Sequence, residues 1–312
     1  MADLRKVYDS KVNSPHISKD FTSVNLEGGL GNQLFQYAAG LYVSHRLGTN
    51  LVLNNSRVMG NRHSGHCITD FILPGVLSIE TNSNTPRADN RFLRKLRYNS
   101  NFGNPKLKIL FEGNSQFKTK FERIKRNRGI SGYFQTYEYL KYLECNELSL
   151  RSLSLVAPSR KYLKLVEESR KASPIMMHVR RGDYFAHRET FGILSKKYYE
   201  AAYLMLANGS PDREIWIFSD DFSRVREEFR GFSRHSQVRF LEETSQMAHA
   251  EVLSLMSTGS SYLIGNSTFS WWAAYSSGPK TEVVMPRPWF RNKNVEGSLL
   301  LPTWHECDSI WT

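Results

Sequence analysis

The sequence predicts an α/β protein of two domains, and three observations carry that reading. The chain has 312 residues, beyond the ~50 to 200 typical of one domain. A strand, a glycine-rich loop, a helix and a returning strand stand near its start. Its second half alternates short apolar strand-like runs with helical stretches in the manner of a doubly wound parallel sheet. Hydrophobic residues at 40% and charged residues at 23% exclude disordered, collagen-like and membrane-spanning classes.

Residues 1–21 form a polar extension of mixed charge without the apolar run of a signal peptide or anchor, so a cytoplasmic location is expected. Cys67, Cys145 and Cys307 are odd in number and widely spaced, which fits a reducing compartment and gives no metal-ligand or redox spacing. The first domain, residues 22–157, opens with a strand at Thr22 to Leu26, a loop at Glu27 to Gly31, a helix at Asn32 to Leu47 ended by Gly48, and a strand at Leu51 to Leu53. Between Arg87 and Arg128 stand thirteen Lys or Arg against three acidic residues, interleaved with phenylalanines. Such a stretch suits a solvated face or peripheral contact with an anionic membrane; no nucleic-acid module accompanies it.

Residues 158–173 read as a charged linker helix. In the second domain, residues 174–285, strands are expected at Ile175 to Val179, Glu214 to Phe218, Val238 to Leu241, Tyr262 to Ile264 and Glu282 to Met285. Helices are expected at Lys196 to Leu206, Phe222 to Arg230, Met247 to Ser257 and Phe269 to Tyr275, with Ser195 and Asp221 as N-caps and Gly209, Gly231, Gly259 and Gly278 near their ends. Residues 286–312 form a tail that packs back on the domains.

Open parallel sheets bind ligands beyond the carboxyl ends of their strands. After the strand at Ile175 comes His178-Val179-Arg180-Arg181-Gly182-Asp183, with His178 and Arg180 on one face. Adjacent arginines suit a diphosphate, because a guanidinium fork matches phosphate oxygens and keeps its charge; either arginine could instead pair with Asp183. No Asp-x-Asp triplet for a metal is present, so arginine is the available group for charge that develops on a leaving phosphate. Ser219-Asp220-Asp221 offers Asp221 as a helix cap and Asp220 as an acceptor for a nucleotide base or ribose. Asn266, Ser267, Thr268, Phe269 and Ser270 open a helix where small hydroxyls suit phosphate; Trp271 and Trp272 read as core. The front loop Gly28-Gly29-Leu30-Gly31-Asn32-Gln33 fails as a dinucleotide fingerprint and as a P-loop, for want of a third glycine and of Gly-Lys-Ser/Thr, yet its backbone can approach an anion.

Taken together, residues 28–38, Asp70-Phe71 with Leu73-Pro74, Gly132-Tyr133-Phe134-Gln135, His178 to Tyr184, Phe218 to Asp221 and Asn266 to Ala273 resemble glycosyltransferase family 11, the α1,2-fucosyltransferases, and look most like bacterial members without a membrane anchor. The resemblance implies a GT-B-like fold: two Rossmann-like domains facing across a cleft, GDP-fucose held mainly by the second and the acceptor by the first. It implies inverting, metal-independent transfer of fucose to the 2-hydroxyl of a galactose-containing glycan, lipid-linked acceptors included, with no cofactor. Position by position it makes Arg180 the β-phosphate contact and Asp183 the base, with His187 and Glu189 as rivals. It gives donor binding to His178, Arg181, Asp220 and Asn266 to Ser270, helped from the other domain by Gly29, Gly31, Asn32 and Gln33. Transfer from another GDP-sugar or to another linkage is the neighbouring alternative, and a non-enzymatic membrane- or polyanion-binding protein is the distant one.

Overall fold

The computed structural model describes residues 20–56, 58, 67–80, 108–111, 128–207, 213–232, 237–292 and 299–312. The N-terminal extension up to residue 19 and almost all of the basic stretch from Arg87 to Arg128 lie outside the described residues, as does Gly209.

Two parallel sheets make the frame. The first holds β1 (Phe21–Asn25), β2 (Asn50–Asn54), β3 (Val76–Glu80), β4 (Lys108–Phe111) and β5 (Arg128–Ser131) in the order β3-β2-β1-β5-β4. The second holds β6 (Ile175–Val179), β7 (Ile215–Ser219), β8 (Val238–Phe240), β9 (Ser261–Leu263), β10 (Glu282–Arg287) and β11 (His305–Asp308) in the order β11-β10-β9-β6-β7-β8. The central strand β6 is buried along its whole length, as a parallel strand covered on both faces must be.

Helix α1 (Leu30–Leu47) starts after extended Gly29 and ends at Gly48, whose left-handed φ of 59° turns its N–H back onto the carbonyl of His45. Its apolar residues lie on nearly every side, so it is a buried helix rather than a surface one. Gly40 lets it press on β1, since a Cβ there would collide with the Val24 side chain. After α2 (Glu138–Cys145), the linker helix α3 (Arg160–Ala172) is capped by Ser159, whose side chain accepts a hydrogen bond from the N–H of Tyr162. The second half adds α4 (Arg188–Phe191), α5 (Lys196–Ala207), α6 (Phe222–Glu228), α7 (His249–Met256) and α8 (Thr268–Ser276). Asp221 caps α6 by accepting from Arg224 N–H at 3.1 Å. The expected cap at Ser195 is not made: its hydroxyl is buried without a partner, while its N–H bonds the carbonyl of Ile310 next to the Leu194–Trp311 bridge.

One hydrophobic core runs through both halves. Phe35 of α1 meets Trp271 and Trp272 of α8 at ring separations of 4.7 and 5.2 Å, and both tryptophans are fully buried core. The C-terminal tail closes this core from below. It lays β11 on the edge of the second sheet, and the carbonyl of Leu299 accepts from the Trp271 indole N–H at 2.8 Å. Among the described residues no helix is long and apolar enough to cross a membrane.

Candidate active site

A cleft of about 980 Å³ opens at the carboxyl ends of β1, β5, β6, β7 and β9, between the two sheets. The N-terminal half contributes the glycine loop, Asn32, Tyr133 and Gln135. The other half contributes His178, Arg180, Tyr184, Asp220 and the residues that open α8.

Arg180 follows the last residue of β6 and reaches the cleft wall, where its Nη1 lies 3.1 Å from Asp220 Oδ2 and its guanidinium stands 5.6 Å from the centre of the Tyr184 ring. The other oxygen of Asp220 accepts the backbone N–H of Arg181 at 2.8 Å. Gly182 makes this approach feasible, because a Cβ there would collide with Asp220 Oδ2. Asp220, expected to receive a base or ribose, lines the cleft, and its carboxylate also fixes the turn and aims Arg180. Tyr184 in turn donates from its hydroxyl to the carbonyl of Asn266 at 2.7 Å, which ties the arginine loop to the start of α8.

His178, one turn of the pleat before Arg180, is buried, and its Nδ1 has no hydrogen-bond partner although the residue lines the cleft. Burial, and after it the positive charge of Arg180, lowers its pKa to about 4 against an opposing pull from Asp220. The ring is therefore neutral at physiological pH and carries one unused polar atom.

Two helix starts converge on the floor of the cleft, presenting the positive ends of their dipoles. That of α8 is capped by Ser267, which accepts from Phe269 N–H. That of α1 has no side-chain cap. Asn32 joins them: its Oδ1 accepts from Thr268 Oγ1 at 3.1 Å and from Gln135 Nε2 at 2.9 Å. Gly31 fits only as glycine, since a Cβ would stand 2.5 Å from the carbonyl carbon of Thr268. Asn266 and Phe269 line the wall beside them; Asn266 Nδ2 donates to the carbonyl of Phe191 at 2.8 Å. Gly29 also lines the cleft, with open space where a Cβ would stand.

Three residues expected in the donor site stand outside its wall. Arg181 is only 1% exposed, and its fork is engaged by Glu228 at 2.8 and 2.7 Å and by the carbonyl of Arg180 at 2.9 Å. Of two adjacent arginines at a strand end, alternation sends one into the cleft and the other into the protein. Gln33 is fully buried, donating to the carbonyl of Gly28 and accepting from Ile68 N–H, because position 33 falls on the inner side of α1. Ser270 is fully buried and returns its hydroxyl to the carbonyl of Ser267 within its own helix. The side chain of Asp183 lies outside the described residues. Of the rival bases, His187 lines the cleft, while exposed Glu189 faces Arg188 at 3.6 Å. Sequence reasoning missed Glu228 and Gln135 as supports. Glu228 carries no local signal, since its partner lies 47 residues away, whereas Gln135 sat within a motif already singled out.

Among the described residues no group of three or more His, Cys, Asp or Glu gathers to hold a metal ion. A family model described as Glycosyl transferase family 11 matches residues 5–307. The chain is similar to the Alpha-1,2-colitosyltransferase of Escherichia coli, 26% identical over 289 residues that cover 86% of this chain and 92% of that one. It is likewise similar to the O-antigen biosynthesis glycosyltransferase WbnK of Escherichia coli, 26% identical over 310 residues, with 89% and 98% covered. Among solved structures it is similar to a mutant of FUT1 from Arabidopsis thaliana in complex with GDP, with a TM-score of 0.50 and 11% identity over 92% of this chain and 74% of that one. The two facing parallel sheets and this likeness make the fold GT-B-like.

Proposed function

The chain belongs to glycosyl transferase family 11, and we propose that within it this protein moves L-fucose from GDP-fucose to the 2-hydroxyl of a galactoside in a glycan, with inversion and without a metal ion. The observation that carries this reading is the aimed guanidinium of Arg180 on the cleft wall beside two helix starts. A diphosphate seated there meets a cation and backbone N–H groups at once. As the bond from the anomeric carbon to the β-phosphate oxygen breaks, the electron pair goes to that oxygen, and Arg180 stabilises the charge more in the transition state than before it. The acceptor hydroxyl attacks the anomeric carbon from the opposite face through an oxocarbenium-like state and passes its proton to a base, for which Asp183 and His187 are the candidates.

The linkage in the name of the colitosyltransferase relative agrees with attack by a 2-hydroxyl, and its sugar favours a second reading, colitosyl transfer at the same site. Both readings use Arg180 alike, because it acts on the diphosphate and not on the sugar. Incubation with GDP-fucose, lactose and a chelator, followed by NMR, tests the proposal. Release of GDP with a new α1,2 bond is expected. Turnover only with another GDP-sugar supports the second reading, and no turnover over a broad panel of donors and acceptors sinks both.

A further inference from the structure

The motif Gly132-Tyr133-Phe134-Gln135 brings an aromatic ring to the cleft wall. It follows β5 and enters the cleft from the N-terminal half. Phe134 has a φ of 50°, a left-handed backbone that a bulky residue adopts only when its surroundings impose it. Those surroundings are visible on both sides. Gln36 Nε2 donates to the carbonyl of Gly132 at 3.0 Å, the Phe134 ring is fully buried against Tyr139, and Gln135 is tied to Asn32. With 132, 134 and 135 each fixed inward, Tyr133 is turned out, 39% exposed on the cleft wall.

The other residues that this half gives to the cleft are the glycine loop with buried Leu30, Asn32 and Gln135, so Tyr133 is the one exposed ring on that wall among the described residues. A pyranose presents a face of C–H groups that packs on an aromatic ring, and the imposed backbone at Phe134 fixes where the Tyr133 ring enters the cleft. Arg180 and the start of α8 lie across the cleft, so a sugar stacked on Tyr133 would face them.

We propose that Tyr133 is the platform on which the pyranose of the acceptor glycan stacks; this rests on the transferase reading above and adds the acceptor subsite to it. In kinetics with GDP-fucose and lactose, Tyr133→Ala should raise the acceptor KM by about tenfold. GDP affinity and the slow hydrolysis of GDP-fucose without acceptor should stay within about twofold, and Tyr133→Phe and Tyr133→Trp should restore the acceptor KM. An unchanged acceptor KM in Tyr133→Ala overturns the platform. So does a parallel loss of GDP affinity, which would give the ring to the guanine instead. Saturation-transfer NMR of methyl galactoside on the GDP-bound protein separates this inference from the proposed reaction. A signal lost in Tyr133→Ala keeps the platform even if the wild type transfers no fucose, and a signal indifferent to the substitution removes it even if it does.

Discussion

The cleft wall built on the second sheet carries the ion pair of Arg180 and Asp220, and the wall built on the first carries Gly28, Gly29 and Gly31 and no charged side chain among the described residues. On the second, Arg180 and Asp220 line the cleft, and with Arg181 and Glu228 behind them they form a linked ionic set in which each charge has a partner within 3.1 Å. On the first, the approach to the cleft is a run of glycines and a helix start without a side-chain cap. The difference teaches how the work is divided. A wall that must take up charge as a bond breaks needs a preorganised cation, whereas a wall that must come close to its opposite needs the absence of Cβ atoms.

The comparison is broken most severely at Arg180. Arg180→Ala should lower kcat by roughly a hundredfold to a thousandfold, as loss of a transition-state donor does, with little change in melting temperature. Arg180→Lys should also be impaired, since a point charge does not reproduce a fork. Arg181→Ala should do the reverse in proportion. It removes a buried partner of Glu228 and the donor to the carbonyl of Arg180, so stability should fall by roughly 3 kcal/mol in denaturant unfolding. If Arg180→Ala turned over normally, the assignment of the leaving-group contact to that wall would be wrong.

His178 gives a smaller effect through pH. Its folded pKa of about 4 lies below the ordinary value of 6.5, so the folded state holds the ring neutral while the unfolded chain takes up a proton. Above pH 6.5 both states are neutral and nothing is lost. As pH falls from 6.5 towards 4, the unfolded state gains, and stability attributable to this residue should drop by up to about 3 kcal/mol. Urea unfolding at pH 7 and pH 4.5 checks it: wild type should weaken more between the two than His178→Gln. Equal weakening would mean that the ring titrates normally.

Much of this arrangement is legible in the sequence because parallel strands announce themselves as short apolar runs. Ile175 to Val179 coincides with β6, and the helices at Lys196 and Phe222 begin at the expected residues. The order of polar loops at strand ends then points to the cleft before any coordinate does. What the sequence hides is which of several polar neighbours faces inward. Arg180 and Arg181 are chemically identical; alternation separates their faces, and the distant Glu228 that receives the inner one carries no local signal. Gln33 and Ser270 look like donor ligands by their place in motifs, yet helical rotation turns both into the core. Ser195 looks like a cap, and a tail more than a hundred residues later takes its backbone.

The glycine wall can be tested by adding one methyl group at two places. A Cβ at Gly31 would lie 2.5 Å from the Thr268 carbonyl carbon and 2.7 Å from Phe269 N, and both are backbone atoms of a helix start that cannot swing aside. Gly31→Ala must therefore push α1 and α8 apart, stretching the 3.1 Å bond between Asn32 and Thr268. The expected cost is about 1 to 3 kcal/mol of stability. Gly29 has a φ of −72° that alanine adopts freely and open space around its would-be Cβ, so Gly29→Ala should melt within a degree or two of wild type. Any effect of Gly29→Ala should then appear only as weaker GDP binding in titration calorimetry, because a methyl group there intrudes on the cleft and on nothing else. Two equally destabilised variants would show that the glycines serve the turn alone, and the closeness of the two helix starts would lose its claim to shape the site.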